Sequence, residues 1–128
     1  MDRRELVRRL VLSKISDDFE NVDQVILPHV SREAARCGPA IERPEIVEAL
    51  VGLVKDGLAK AYELTPFVRD PFSGELKGMP PLDVVKEDFA TYFYVTKQGK
   101  DLVRTDGWWP LDDEGNLLPD WNLDGPQT

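Results

Sequence analysis

The residues of this chain able to do covalent or metal chemistry are few and poorly spaced for it. One histidine, His29, and one cysteine, Cys37, cannot by themselves build a four-ligand zinc site. A lone cysteine is most simply a packed thiol, and it excludes an internal disulfide. Carboxylates cluster at Asp17-Asp18 and at Asp112-Asp113-Glu114, but neither run has the alternating ligands and central glycine of a calcium loop. Both read as solvated turns. The sequence contains no Gly-rich phosphate loop, no His-Glu-x-x-His and no Gly-x-Ser-x-Gly. The expectation is therefore a protein that is not an enzyme, with no catalytic residue, no metal and no cofactor.

What remains is the chemistry of recognition. Sixteen Lys and Arg stand against 24 Asp and Glu, a net charge of -8 over 128 residues. The imbalance is concentrated at the C-terminal end, where residues 106–128 carry Asp106, Asp112, Asp113, Glu114, Asp120 and Asp124 and no base. The remainder is near neutral, and neither part has the electrostatic footprint of a strong nucleic-acid binder. The best basic patch joins Arg3, Arg4, Arg8 and Arg9 to Arg32 and Arg36 of a second helical region. A solvated helix face making local pairs is the plainer reading of the same residues. Trp108, Trp109 and Trp121 lie in an acidic segment broken by prolines. Left in water they are costly, so they either fold back on the domain or bury in a partner, where tryptophan is enriched at energetic centres. An acidic segment of this kind can also lie over a basic face and compete with DNA.

The elements that must position these groups follow from periodicity. Residues 2–15 predict a helix, with Leu6, Val7, Leu10, Val11 and Ile15 on one face and Asp2 as N-cap. A second helical region runs from Val22 to Cys37, with Val22, Val25, Ile26, Val30, Ala34 and Ala35 as its stripe. Pro28 interrupts it, since an interior proline costs a helix about 3 kcal/mol. Either the helix kinks, or one short helix ends before Pro28 and another is capped by Ser31; the second is preferred. Gly38 and Pro39 supply the stop. Around residues 44–64 the chain shows its clearest signal, a helix with Pro44 at its first position and Ile46, Val47, Leu50, Leu53 and Val54 facing inward. Asp56-Gly57 ends it, and LAKAYEL predicts a strand. Residues 65–90 form a long connection with a hairpin tip at FSGELKG, ATYFYVT predicts a second strand, and Thr96 caps a short helix weakened by Gly99.

Two stretches carry a resemblance. IVEALVGLVKDGLAKAYEL resembles the recognition helix and first wing strand of the winged helix-turn-helix family of small bacterial transcription regulators. YFYVTKQGKDLV resembles its second wing strand and the helix start that follows. The likeness covers residues 2–105 and implies an α+β fold, a three-helix core with a two- or three-stranded wing. It also implies DNA binding as a dimer, with the third helix in the major groove. On that reading Glu45, Glu48, Gly52 and Lys55 face the bases and Arg43 a phosphate. Arg8, Arg9, Arg32 and Arg36, with Arg69 and Lys77 from the wing, complete the DNA-binding set. The chain departs from the family at Glu45, Glu48 and Asp56, because bases are usually read by Arg, Lys, Asn or Gln.

The expectation is thus a winged-helix domain over 1–105, with its long wing loop at 65–90, followed by an acidic, irregular extension over 106–128. Its leading function is regulation of transcription through duplex DNA. The alternative is a winged-helix module that binds protein and not DNA, through the acidic third-helix face or through Trp108, Trp109 and Trp121. A homodimer or a protein partner is implied. No apolar run approaches the roughly 18 residues that cross a bilayer, and MDRRELVRRLVLSK reads as an amphipathic helix instead of a signal peptide. A cytoplasmic location with no membrane partner is expected.

Overall fold

Helix α1, Arg3–Ile15, is the axis of the molecule. In the computed structural model, which describes residues 2–37, 40–65, 67, 69–82, 90–119 and 121, it touches α2, α3, β2 and α4. Asp2 starts it by accepting from the Glu5 N–H at 3.1 Å. Leu12 joins the five expected inward residues, so six of its thirteen side chains are buried. Little of the helix surface is left for solvent, and that governs the fate of its arginines.

The chain then passes through a π turn, Val22–Ile26, directly into α2, Leu27–Cys37. Asn21 caps the turn by accepting from the Asp23 and Gln24 N–H groups. Here the expected break, with a second helix capped by Ser31, is corrected. The helical path is continuous from Val22, and Pro28 falls at the second residue of α2. In that first turn a missing N–H costs little, because the wider i→i+5 winding has already absorbed the mismatch. Val22, Ile26, Val30 and Ala34 are buried as expected, whereas Ala35, one residue and 100° further round, is exposed. The Cys37 side chain and the Gly38-Pro39 stop lie outside the described residues.

Helix α3, Arg43–Lys55, starts one residue before Pro44. The Glu45 carboxylate accepts from the Glu42 N–H at 2.9 Å, one arm of a capping box. Ile46, Ala49, Leu50 and Leu53 are buried, Val47 and Val54 are partly so, and Val51 is exposed. Gly57, at φ +76°, turns the chain out of the helix and into β1, Ala59–Glu63. β1 pairs antiparallel with β2, Thr91–Val95, in a register that sets Ala59 against Val95 and Ala61 against Phe93 on the core side.

Both outer edges of this two-stranded sheet are occupied at one point each. Glu20 and Phe93 exchange two backbone hydrogen bonds on the β2 side, at 3.0 and 2.9 Å. On the β1 side the chain returns after a 3₁₀ turn, Pro71–Gly74, and the Leu76 N–H donates to the Ala61 carbonyl at 2.9 Å. Thr96 caps α4, Lys97–Val103, by accepting from the Gly99 N–H at 3.1 Å. Gly99 has a reason beyond helix propensity: a Cβ there would come within 2.3 Å of the Leu58 carbonyl oxygen. Among the described residues the molecule is α+β, with four α-helices and one antiparallel pair, an arrangement compatible with the expected one. Among the described residues no helix is long and apolar enough to cross a membrane.

Candidate interaction surfaces

The arginines of the candidate basic patch lie on several faces, and those of α1 are engaged in ion pairs, in line with the plainer of the two readings. Arg3, Arg4 and Arg8 leave α1 on the side of α3 and form a row of ion pairs across the gap. Arg3 grips Glu45 with Nε and Nη2 at 2.6 and 3.0 Å and also donates to the Ala40 carbonyl. Arg4 reaches Glu48 at 3.2 Å, and Arg8 reaches Asp56 at 3.0 Å. Gly52 lies beneath Arg8, where an added Cβ would meet Nη1 at 2.9 Å. The result is a groove of about 540 Å³ floored by Val7, Ala49 and Val51, its acidic wall matched by arginines of the same chain. Every outward position of α3 carried over as base-facing therefore lines this groove, and Glu45 and Glu48 are already paired.

At Arg3–Glu45 the pairing shifts both groups, raising the pKa of the guanidinium and lowering that of the carboxyl. Hydrogen bonding from the guanidinium holds the Glu45 carboxyl below its ordinary 4.5; burial opposes this and the Glu42 N–H adds to it. A depressed carboxylate pKa contributes stability above its unfolded value, and that contribution is lost as pH falls through the folded one. Glu45→Gln is thus expected to lower stability by about 1 kcal/mol at neutral pH, the modest value reflecting a pair that water partly screens. The gap between variant and wild type should narrow in urea melts taken below about pH 4.5. A gap that stays constant down to pH 3 would remove the pair from the account of stability.

Arg9 takes the opposite flank of α1. Its Nε pairs with Glu5 at 2.9 Å and its Nη1 donates to the Trp108 carbonyl at 2.6 Å. The guanidinium carbon sits 5.6 Å from the Trp108 ring centre and 5.2 Å from that of Trp121. Both rings belong to the core cluster, with only 6% and 8% of their surface exposed, and Trp109 packs half-buried beside them. Of the two destinations open to the tryptophans, Trp108 and Trp121 take the domain itself. Pro110 is fully buried, Leu111 bridges to Leu117, and Asp112 Oδ1 accepts from the N–H groups of Glu114 and Asn116. Arg36 lies against this segment too, where a Cβ on Gly115 would come within 3.0 Å of its Nη2.

Arg43 also serves the fold. It is held bidentately by Asp23 at 2.7 and 3.2 Å and donates to the Leu82 carbonyl at 2.6 Å. Arg32, Lys55, Arg69 and Lys77 are exposed, and no ion pair is formed by them among the described residues. Arg8 is beside α3, Arg9 and Arg36 are beside the C-terminal segment, and so the arginines do not converge. Among the described residues no group of three or more His, Cys, Asp or Glu side chains is placed to hold a metal ion.

One surface was not singled out in advance. Phe19, Tyr62, Phe72 and Tyr94 meet on the solvent side of the sheet, with Lys60, Lys97 and Lys100 around them. Alternation in AKAYE and TYFYV points Lys60, Tyr62, Tyr92 and Tyr94 to that side, a signal present in the sequence. Phe19 and Phe72 come from loops, where no period announces a partner. Compared with protein-family models, with curated proteins and with solved structures, the chain matches none.

Proposed function

We propose that this chain is a winged-helix module that binds a protein partner and does not read duplex DNA. The order helix, helical region, helix, strand, long loop, strand supports the winged-helix assignment. So does the Glu20 bridge, which adds a third, one-residue member beside β2. The observation that carries the function is the ion-pair row Arg3–Glu45, Arg4–Glu48 and Arg8–Asp56. A helix that enters the major groove offers donors to base edges and cations to phosphates. This one offers three carboxylates whose countercharges come from α1. Docking it on DNA would set the phosphates against those acids or require the pairs to break.

Titration of a labelled duplex at about 50 and 200 mM salt tests the reading, because phosphate contacts make affinity fall steeply between those values. The expected result is no salt-sensitive binding, either by the intact chain or by the Asp113→Asn, Glu114→Gln variant. That variant weakens the acidic segment without removing Trp108 and Trp121 from the core. Binding that appears at low salt and collapses at the higher one would overturn the proposal. Loss of the block in the neutralised variant alone would instead make the acidic segment an internal competitor of DNA.

A further inference from the structure

We propose that the solvent-side face of the β1–β2 sheet is the docking groove for the partner, and that it takes an extended, proline-bearing acidic peptide segment. This rests on the protein-binding reading above and names the chemistry of its partner. The register sets Lys60 opposite Tyr94 and Tyr62 opposite Tyr92, so one sheet face is aromatic and basic while the other is the core. Phe19 stacks on Tyr94 at 4.5 Å and 16°. Phe72 meets Phe19, Tyr94 and Tyr62 at 5.3, 5.8 and 6.0 Å, in each case edge-on. Its ring keeps 54% of its surface exposed although it is a large apolar group. Beside it lies a groove of about 430 Å³ walled by Tyr62, Tyr94 and three lysines, with no carboxylate in its lining.

The occupant follows from what this face can and cannot offer. A peptide cannot extend the sheet at Ala61 or Phe93, because Leu76 and Glu20 already hold those backbone groups. Recognition is left to side chains, and polyproline II segments dock in aromatic-lined grooves without a ladder. Rings standing at 67–85° to Phe72 form notches, which suit a pyrrolidine better than a flat nucleobase. Charge selects acidic residues for the flanks. Lys100 donates to the Tyr94 hydroxyl at 2.9 Å, Lys60 pairs with Glu75 at 2.7 Å, and Lys97 reaches Asp101 only at 3.7 Å. The Lys97 side chain is 94% exposed, so its pair is cheaply exchanged for a carboxylate of the partner. A single-stranded nucleic acid would meet the same lysines, but its bases stack on open ring faces, and here the rings stand edge-on to Phe72.

The experiment is a fluorescence anisotropy titration of the full chain with labelled twelve-residue peptides of repeating Asp-Pro-Pro, Ser-Pro-Pro and Asp-Gly-Gly, and with an oligothymidine of matched length. The Asp-Pro-Pro peptide is expected to bind with a Kd on the order of 100 μM. Loss of either the acid or the proline should weaken it about tenfold, as should Phe72→Ala, which removes an exposed ring. Lys97→Glu, at a side chain 94% exposed, should weaken it by about threefold or more and leave the Ser-Pro-Pro titration unchanged. Equal binding of all three peptides, tighter binding of oligothymidine, indifference to Phe72→Ala, or no binding up to about 1 mM would each overturn the groove. A flat peptide titration with no duplex binding overturns this groove alone, whereas salt-sensitive duplex binding overturns the broader reading.

Discussion

Replacing Trp108 with alanine is expected to lower stability by about 3–5 kcal/mol, the range for truncating a large aromatic side chain in a core. The residue is 6% exposed, and loss of its indole leaves a cavity against α1 and removes one of the two rings that contact the Arg9 guanidinium. Arg9→Met keeps the aliphatic stem while removing the pair to Glu5, the bond to the Trp108 carbonyl and both ring contacts. It should cost about 2–3 kcal/mol, less than the sum of the contacts removed, because methionine also escapes the desolvation that the guanidinium bears. The double variant should lose less than the sum, with a coupling on the order of 1 kcal/mol, because the two side chains share one contact. Chemical denaturation followed by tryptophan emission reads both numbers, and emission shifting with global unfolding would show the segment melting with the domain. An early, separate emission change with an unaltered main transition would instead make residues 106–121 a dispensable appendage.

That coupling also explains what could and could not be read from the sequence. The stripe of α1 was legible because Leu6, Leu10 and Ile15 repeat at helical spacing, and the same holds for Ile46, Leu50 and Leu53 of α3. The capping residues Asp2 and Thr96 were legible as well, since a cap is a local pattern. The fate of Arg8 and Arg9 was not. Neighbours on a helix point about 100° apart, so two adjacent arginines that look like one patch serve opposite flanks. Their partners, Asp56 and Trp108, lie 48 and 99 residues away, beyond any periodicity. Pro28 marks an interruption in the sequence pattern, but a proline reports only that an N–H is missing. It does not distinguish a break from a π turn.

The groove on the sheet shows the same division. Its strand members could be read from alternation, and its loop members Phe19 and Phe72 could not, because only the Glu20 and Leu76 bridges bring those loops to the sheet. In the expected fold the wing and the third helix both face the ligand. Here α3 is tied to α1 by its charges, and the loop between β1 and β2 places Phe72 beside the rings on the solvent side of the sheet.

Arg43 gives the second large effect and separates a structural arginine from a phosphate contact. Its side chain is 20% exposed and that of Asp23 only 9%, and the pair ties the start of α3 to the π turn and to the Leu82 carbonyl. Removing one partner of a buried pair leaves the other uncompensated, at a cost of about 3–5 kcal/mol. Arg43→Ala is therefore expected to lose a large share of the stability of a domain this size, which amounts to roughly 5–15 kcal/mol in total. Arg43→Lys should recover only part of it, because an ammonium cannot reproduce a planar bidentate grip. Asp23→Asn, which keeps an acceptor but drops the charge, should fall between wild type and Arg43→Ala. Urea melts at neutral pH order the three variants. Were Arg43 a phosphate contact instead, Arg43→Ala would leave the melting midpoint where it is and change only an affinity for DNA.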